Sequence, residues 1–160
     1  MGVSGTGKTT IGKGLSKRLG IPFVEGDDYH PQANVDKMAS GKPLNDADRA
    51  PWLAALGEVL AKAHESGRGC ILACSALKQR YRDTLRQAAQ APVHFVWLHG
   101  ERELLAKRLS ERKGHYFKAD LLDSQFEALE APQQAIELDV VERPEQLIRQ
   151  AAEKLEALQA

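Results

Sequence analysis

Gly2-Val3-Ser4-Gly5-Thr6-Gly7-Lys8-Thr9 satisfies G-x-x-x-x-G-K-[ST] at every fixed position, and the spacing has a physical cause. A backbone can wrap a polyphosphate with its N–H groups only where no Cβ intrudes. Gly2, Gly5 and Gly7 supply that room, together with access to positive φ. The helix that opens near Lys8 aims its positive end at the same anion. Val3, Ser4, Thr6 and Thr10 complete the cradle, and Lys8 brings a mobile cation to the β- and γ-phosphates. The Thr9 hydroxyl is a hard oxygen ligand suited to Mg²⁺. This stretch predicts a site for ATP with Mg²⁺ between a strand and a helix.

The chain beyond it keeps to that plan. Ile11, Leu15 and Leu19 recur at four-residue spacing, a helix stripe over 9–19 closed by Gly20 and Pro22. Short apolar runs at 21–24, 70–74, 93–98 and 135–141 read as strands. Stripes at 31–40, 51–66, 78–90, 101–113 and 144–158 read as helices, the first two each led by a proline. Residues 114–132 show only weak periodicity. Strands alternating with helices predict an α/β protein, a three-layer P-loop NTPase fold with a parallel sheet and helices on both faces. A single domain over 1–160 is expected. One element is out of place. A P-loop joins a buried strand to its helix, yet only Met1 stands before Gly2. The first strand is therefore expected to be truncated, leaving its two neighbours with unpaired backbone groups.

Bulk properties narrow the function classes. Acidic and basic residues balance at 22 each in 160 residues, which argues against a nucleic-acid partner. No apolar stretch approaches a membrane span and no signal peptide is evident, so a cytoplasmic protein is expected. Cys70 and Cys74, the only cysteines, would lie about 13 Å apart in an extended segment, too far for a disulfide. They read as buried thiols.

The second apolar run leads into Glu25-Gly26-Asp27-Asp28-Tyr29-His30-Pro31. Carboxylates at the C-terminal edge of a parallel strand point into the crevice where open α/β sheets bind ligands. Beside a P-loop they can orient an acceptor hydroxyl or hold a water of Mg²⁺. Glu25 is the metal-side candidate, with Thr9. Asp27 is the candidate to receive or orient the acceptor proton.

Gly26-Asp27-Asp28-Tyr29-His30-Pro31, then Asn34, Lys37-Met38-Ala39-Ser40-Gly41, Pro43-Leu44-Asn45-Asp46 and Asp48-Arg49-Ala50-Pro51-Trp52-Leu53 closely resemble the gluconokinase family. So do Cys74-Ser75-Ala76-Leu77-Lys78, Tyr81-Arg82-Asp83, Arg112-Lys113-Gly114-His115-Tyr116-Phe117-Lys118 and Ser124-Gln125-Phe126. The likeness runs from Gly2 to about Pro132. Glu25 departs from it mildly, standing where Asp is expected. The resemblance implies ATP-dependent phosphorylation of the gluconate 6-hydroxyl in a fold related to shikimate and adenylate kinases, with a movable lid and a homodimer. A polyhydroxy acid needs a cation and several polar groups. Arg49 and Arg82 offer planar forks for a carboxylate and Lys78 a further cation. His30, Asp27 and Gln125 could serve hydroxyls. The segment 108–132 would be the lid, bringing Arg108, Arg112 and Lys118 over the phosphates, with Lys8, Asp27 and Arg112 forming the catalytic set. Two rivals are a different small-molecule kinase, such as a shikimate-type enzyme, and an ATP-binding module without transfer activity.

Overall fold

The computed structural model describes residues 1–112 and 119–159. Seven helices and four strands lie among them, in the order α1 (Lys8–Leu19), β1 (Phe23–Glu25), α2 (Gln32–Ala39), α3 (Asp46–Glu65), β2 (Ile71–Ala73), α4 (Gln79–Ala89), β3 (Val96–His99), α5 (Arg102–Ser110), α6 (Ala119–Ala128), β4 (Ile136–Asp139) and α7 (Pro144–Gln159). A 3₁₀ turn, Gly26–Tyr29, follows β1 directly.

The strands form two parallel pairs. Phe23 stands opposite Ile71 in the first, and Val96 opposite Ile136 in the second. Side chains alternate between two apolar clusters. Val96 and Leu98 join the one built by Ile11, Leu15, Leu105, Leu122 and Leu147, whereas Phe95 joins Trp52, Leu56, Tyr81 and Leu85 in the other. Because successive strand residues point to opposite faces, the clusters lie on opposite sides of the sheet layer. α1 packs with α7, and α3 packs with α4. The three-layer expectation holds.

β2 and β3 are not paired with each other. The backbone of residues 1 and 2 bridges them at one end: the Gly2 N–H donates to the Ser75 carbonyl (3.1 Å), and the Leu98 N–H donates to that of Met1 (2.9 Å). Next to this bridge lies a mostly apolar trough of about 550 Å³, lined by Ile11, Leu15, Leu72, Phe95, Val96 and Leu155 among others.

Two helices differ from the sequence reading. α3 starts at Asp46, five residues before Pro51, because Asn45 and Asp48 form a reciprocal capping box. The Asp48 N–H donates to Asn45 Oδ1, and the Asn45 N–H donates to Asp48 Oδ2, both at 2.8 Å. That satisfies two orphan donors and outweighs a proline one turn in. α6 had too weak a stripe to be read. Its fully buried Leu122 and polar anchors hold it instead. Arg102 forks onto Asp123 at 2.5 and 2.9 Å, tying it to α5.

Candidate active site

The P-loop leaves the sheet with Gly2, Gly5 and Gly7 at φ 146°, 85° and 88°. Two of these glycines are also forced by close approach. A Cβ on Gly2 would come 2.4 Å from the Leu98 carbonyl oxygen, and one on Gly5 would press on Leu109 and the Leu105 carbonyl. The turn ends at Gly7, which caps α1. Its N-terminal N–H groups therefore face the cradle with no side-chain cap competing for them. Lys8 Nζ donates to the Val3 carbonyl at 3.1 Å, and Thr6 Oγ1 donates to the same oxygen at 2.9 Å. No carboxylate is in salt-bridge range of Lys8 among the described residues. Burial pushes its pKa down, a nearby Arg112 adds to that, and Asp27 and Glu25 act against it. An under-neutralised ammonium beside a ring of backbone donors is chemistry that fits a polyphosphate.

The metal-side candidates meet. Thr9 Oγ1 donates to Glu25 Oε2 at 2.5 Å. A hydroxyl and a carboxylate side by side are the hard oxygens that suit Mg²⁺, which keeps most of its waters and takes one or two protein ligands. Thr10, next along α1, is exposed.

The acceptor side is held by side chains. Trp52 Nε1 donates to the Gly26 carbonyl at 2.7 Å, pinning the 3₁₀ turn that carries Asp27 onto α3. His30 stacks on Trp52, ring centroids 4.2 Å apart and 15° from coplanar. Its Nδ1 pairs with Asn34 Nδ2 at 3.3 Å, and Asn34 Nδ2 also donates to the Asp48 carbonyl at 2.8 Å. Its Nε2 sits 3.9 Å from Asp27 Oδ1. Burial lowers the His30 pKa, with Asp27 raising it and Arg49 lowering it further. Asp27 itself is 74% exposed on its side chain, open to an incoming hydroxyl.

Next to this turn, Asp46 gathers the cations. Lys78 Nζ reaches it at 3.1 Å, and Arg80 and the Tyr81 hydroxyl also contact it. Arg49 lies against the Tyr81 ring and donates to the Leu44 carbonyl. Arg49, Lys78 and Asp46 line a small cavity of about 180 Å³ together with Leu44, Ser124 and Ala128. The grouping of Arg49 with Lys78 follows the sequence reading. The central roles of Asp46, Tyr81 and Trp52 do not, because nothing in their local sequence shows which cations or carbonyls they will meet.

Three expected ligands face elsewhere. Arg82 is buried, 1% exposed. Its guanidinium donates to the carbonyls of Ala76, Leu77 and Glu130 and to Gln79 Oε1, all within 2.9–3.0 Å. Ala76 carries the left-handed φ of 45°, so this fork holds a strained loop in place and is not free for a substrate carboxylate. Arg108 donates to the Val140 carbonyl at 2.6 Å, next to the turn entering α7, and not toward the cradle. Gln125, expected on an acceptor hydroxyl, instead bonds Ser4 of the P-loop. Arg112 is exposed and near enough to act on Lys8. Lys118, with Tyr116 and Phe117, lies outside the described residues.

Residues 1–136 match the family model described as an AAA domain. The chain is 46% identical over 157 residues to the probable gluconokinase of Xenopus tropicalis, covering 88% of this chain and 83% of that one. To the gluconokinase of Gluconobacter oxydans (strain 621H) it is 52% identical over 132 residues, 82% and 74% of the two chains. A crystal structure of a gluconokinase from Sinorhizobium meliloti 1021 superposes with a TM-score of 0.90 at 43% identity, covering 99% of this chain and 90% of that one. With a glycine-cradled lysine on one side of the crevice and a Trp-pinned acidic turn on the other, the chain belongs to the gluconokinase family of P-loop kinases.

Proposed function

We infer that this protein transfers the γ-phosphoryl group of ATP to the 6-hydroxyl of gluconate. The observation that carries this reading is the placement of Asp27 on a turn pinned by Trp52, within electrostatic reach of Lys8. The family relationship supplies the acceptor.

Each residue then has a task. The P-loop N–H groups and Lys8 hold the β- and γ-phosphates and take up charge as it develops on the transferring group. Thr9 and Glu25 would hold Mg²⁺, which when bound neutralises charge on the β- and γ-phosphate oxygens. Arg49 and Lys78 bind the gluconate carboxylate, displacing part of the hold that Asp46 has on Lys78. His30, whose pKa burial lowers, lies beside Asp27. Asp27 accepts the proton of the attacking hydroxyl as the new O–P bond forms and the bond to the ADP oxygen breaks. Loose transition states reward positioning over covalent chemistry, which is why the rigid pin matters. In the same reading Arg112 brings a cation to the phosphates from the edge of 108–132, whose α6 stays anchored, and the protein acts in the cytoplasm as a homodimer.

A coupled ADP-release assay with gluconate, shikimate and a panel of sugar acids tests this. Gluconate is expected to give the highest kcat/KM, with Mg²⁺ required. Faster turnover of shikimate, or ATP binding with no acceptor-dependent turnover, would remove the assignment.

A further inference from the structure

We propose that Gln125 is a positioning residue for phosphoryl transfer, acting on the Lys8 ammonium through a single peptide group of the P-loop. The idea rests on the kinase reading above.

The two hydrogen bonds between Gln125 and Ser4 span 121 residues of sequence. The Ser4 N–H donates to Gln125 Oε1 at 2.7 Å, and Gln125 Nε2 donates to Ser4 Oγ at 3.0 Å. The Ser4 N–H belongs to the same peptide plane as the Val3 carbonyl, because a peptide group is one rigid unit. That carbonyl is the oxygen that accepts from Lys8 Nζ at 3.1 Å. Gln125 therefore fixes one edge of a plane whose other edge holds the lysine. Rotating the plane to free the N–H would turn the carbonyl away from the ammonium.

The other end of the link is stiff. Leu122 is fully buried, the Arg102 fork holds Asp123, and the Arg82 clamp holds the chain at Glu130. The same helix turn lines the acceptor cavity through Ser124 and Ala128. α6 thus touches the phosphate cradle with one residue and the acceptor cavity with its neighbours. Gln125 holds donor and acceptor in a common register and contacts neither.

Replacing Gln125 by Met keeps its length and removes both bonds, whereas Gln125→Glu keeps an acceptor for the Ser4 N–H. Gln125→Met is expected to lower kcat about tenfold or more, since misplacement of reacting groups is costly even from a distance. Affinity for a fluorescent ATP analogue and KM for gluconate should change by less than about threefold, the pattern of an interaction felt in the transition state. Gln125→Glu should recover most of kcat. In a Lys8→Ala background, read by single turnover at high enzyme concentration, Gln125→Met should add little further loss, because its effect runs through the missing ammonium.

A tenfold rise in KM for gluconate with kcat intact would overturn the proposal and make Gln125 an acceptor ligand. An equal kcat loss in the Lys8→Ala background would overturn it too, as would equal losses in the Met and Glu variants that track a fall in melting midpoint. If wild-type protein fails to phosphorylate gluconate, the function assignment falls alone. The Gln125–Lys8 coupling is then read in acceptor-free ATP hydrolysis.

Discussion

The two halves of the crevice are built from different materials. The donor half is backbone: three glycines, the N-terminus of α1 and a lysine held by a carbonyl four peptide groups back. The acceptor half is a lattice of side chains drawn from distant elements, with Trp52 on the turn, Asn34 on His30, and Lys78, Arg80 and Tyr81 on Asp46. Backbone recognition is bound to local conformation and tolerates few residue types. A side-chain lattice can be retuned one partner at a time. On this view the donor half sets what kind of reaction occurs, and the acceptor half sets on what.

That contrast predicts unequal losses. Lys8→Ala is expected to lower kcat by about a thousandfold, the scale of losing one preorganised charge in a dry site. Asp27→Asn should cost about a hundredfold, the lower range for a general base, because positioning carries more of this reaction than proton transfer. Steady-state and single-turnover rates check both. Similar losses in the two variants, with nucleotide affinity intact, would break the ranking.

Arg82 sharpens the comparison from the acceptor side. Its fork serves four protein acceptors around the strained Ala76. Arg82→Met should lower unfolding free energy by about 3 kcal/mol, because several buried carbonyls lose a charged donor together. Chemical denaturation measures this. A rise in KM for gluconate with unaltered stability would return Arg82 to the substrate.

The same contrast explains what could be read ahead of the structure. The loop's conformation was legible, since Gly2, Gly5 and Gly7 stand at fixed positions in consecutive sequence, each at positive φ. Asp27, Arg49 and Lys78 were legible only as types, cations and carboxylates near a strand edge. Arg82 and Lys78 lie four residues apart, Lys78 capping α4 and Arg82 just inside it. One ends buried on carbonyls and the other at a cavity wall, and only tertiary packing separates the two. α6 escaped because its place depends on Leu122, Asp123 and Gln125 finding partners far away. The start of α3 lies ahead of Pro51 because Asn45-x-x-Asp48 is a capping pair, a signal carried by local sequence.

Trp52→Phe removes one bond and little volume. The Gly26 carbonyl loses its indole donor, which should cost about 1–2 kcal/mol of stability. The turn carrying Asp27 gains freedom, so KM for gluconate should rise several-fold while affinity for ATP stays near wild type. Equal weakening of both would show that the pin serves the fold as a whole and not the acceptor half.

The smallest effect lies at Asp48, on the rim of the acceptor lattice. The hydrogen bond from Lys37 at 2.5 Å, then the Asn45 N–H, holds its pKa below the ordinary 3.8. A carboxylate whose folded pKa is depressed stabilises the fold above its unfolded pKa and loses that contribution as pH falls through the folded one. Wild-type protein should therefore lose stability below about pH 4, more steeply than Asp48→Asn, which keeps an acceptor for the Asn45 N–H but cannot ionise. Because the group faces water, the difference should be small and shrink further in high salt. Melting midpoints between pH 3 and 6 decide it. If the variant and the wild type fall in parallel, the Lys37 bond contributes nothing measurable. The acceptor lattice would then be anchored by Asn34 and Trp52 alone at this corner.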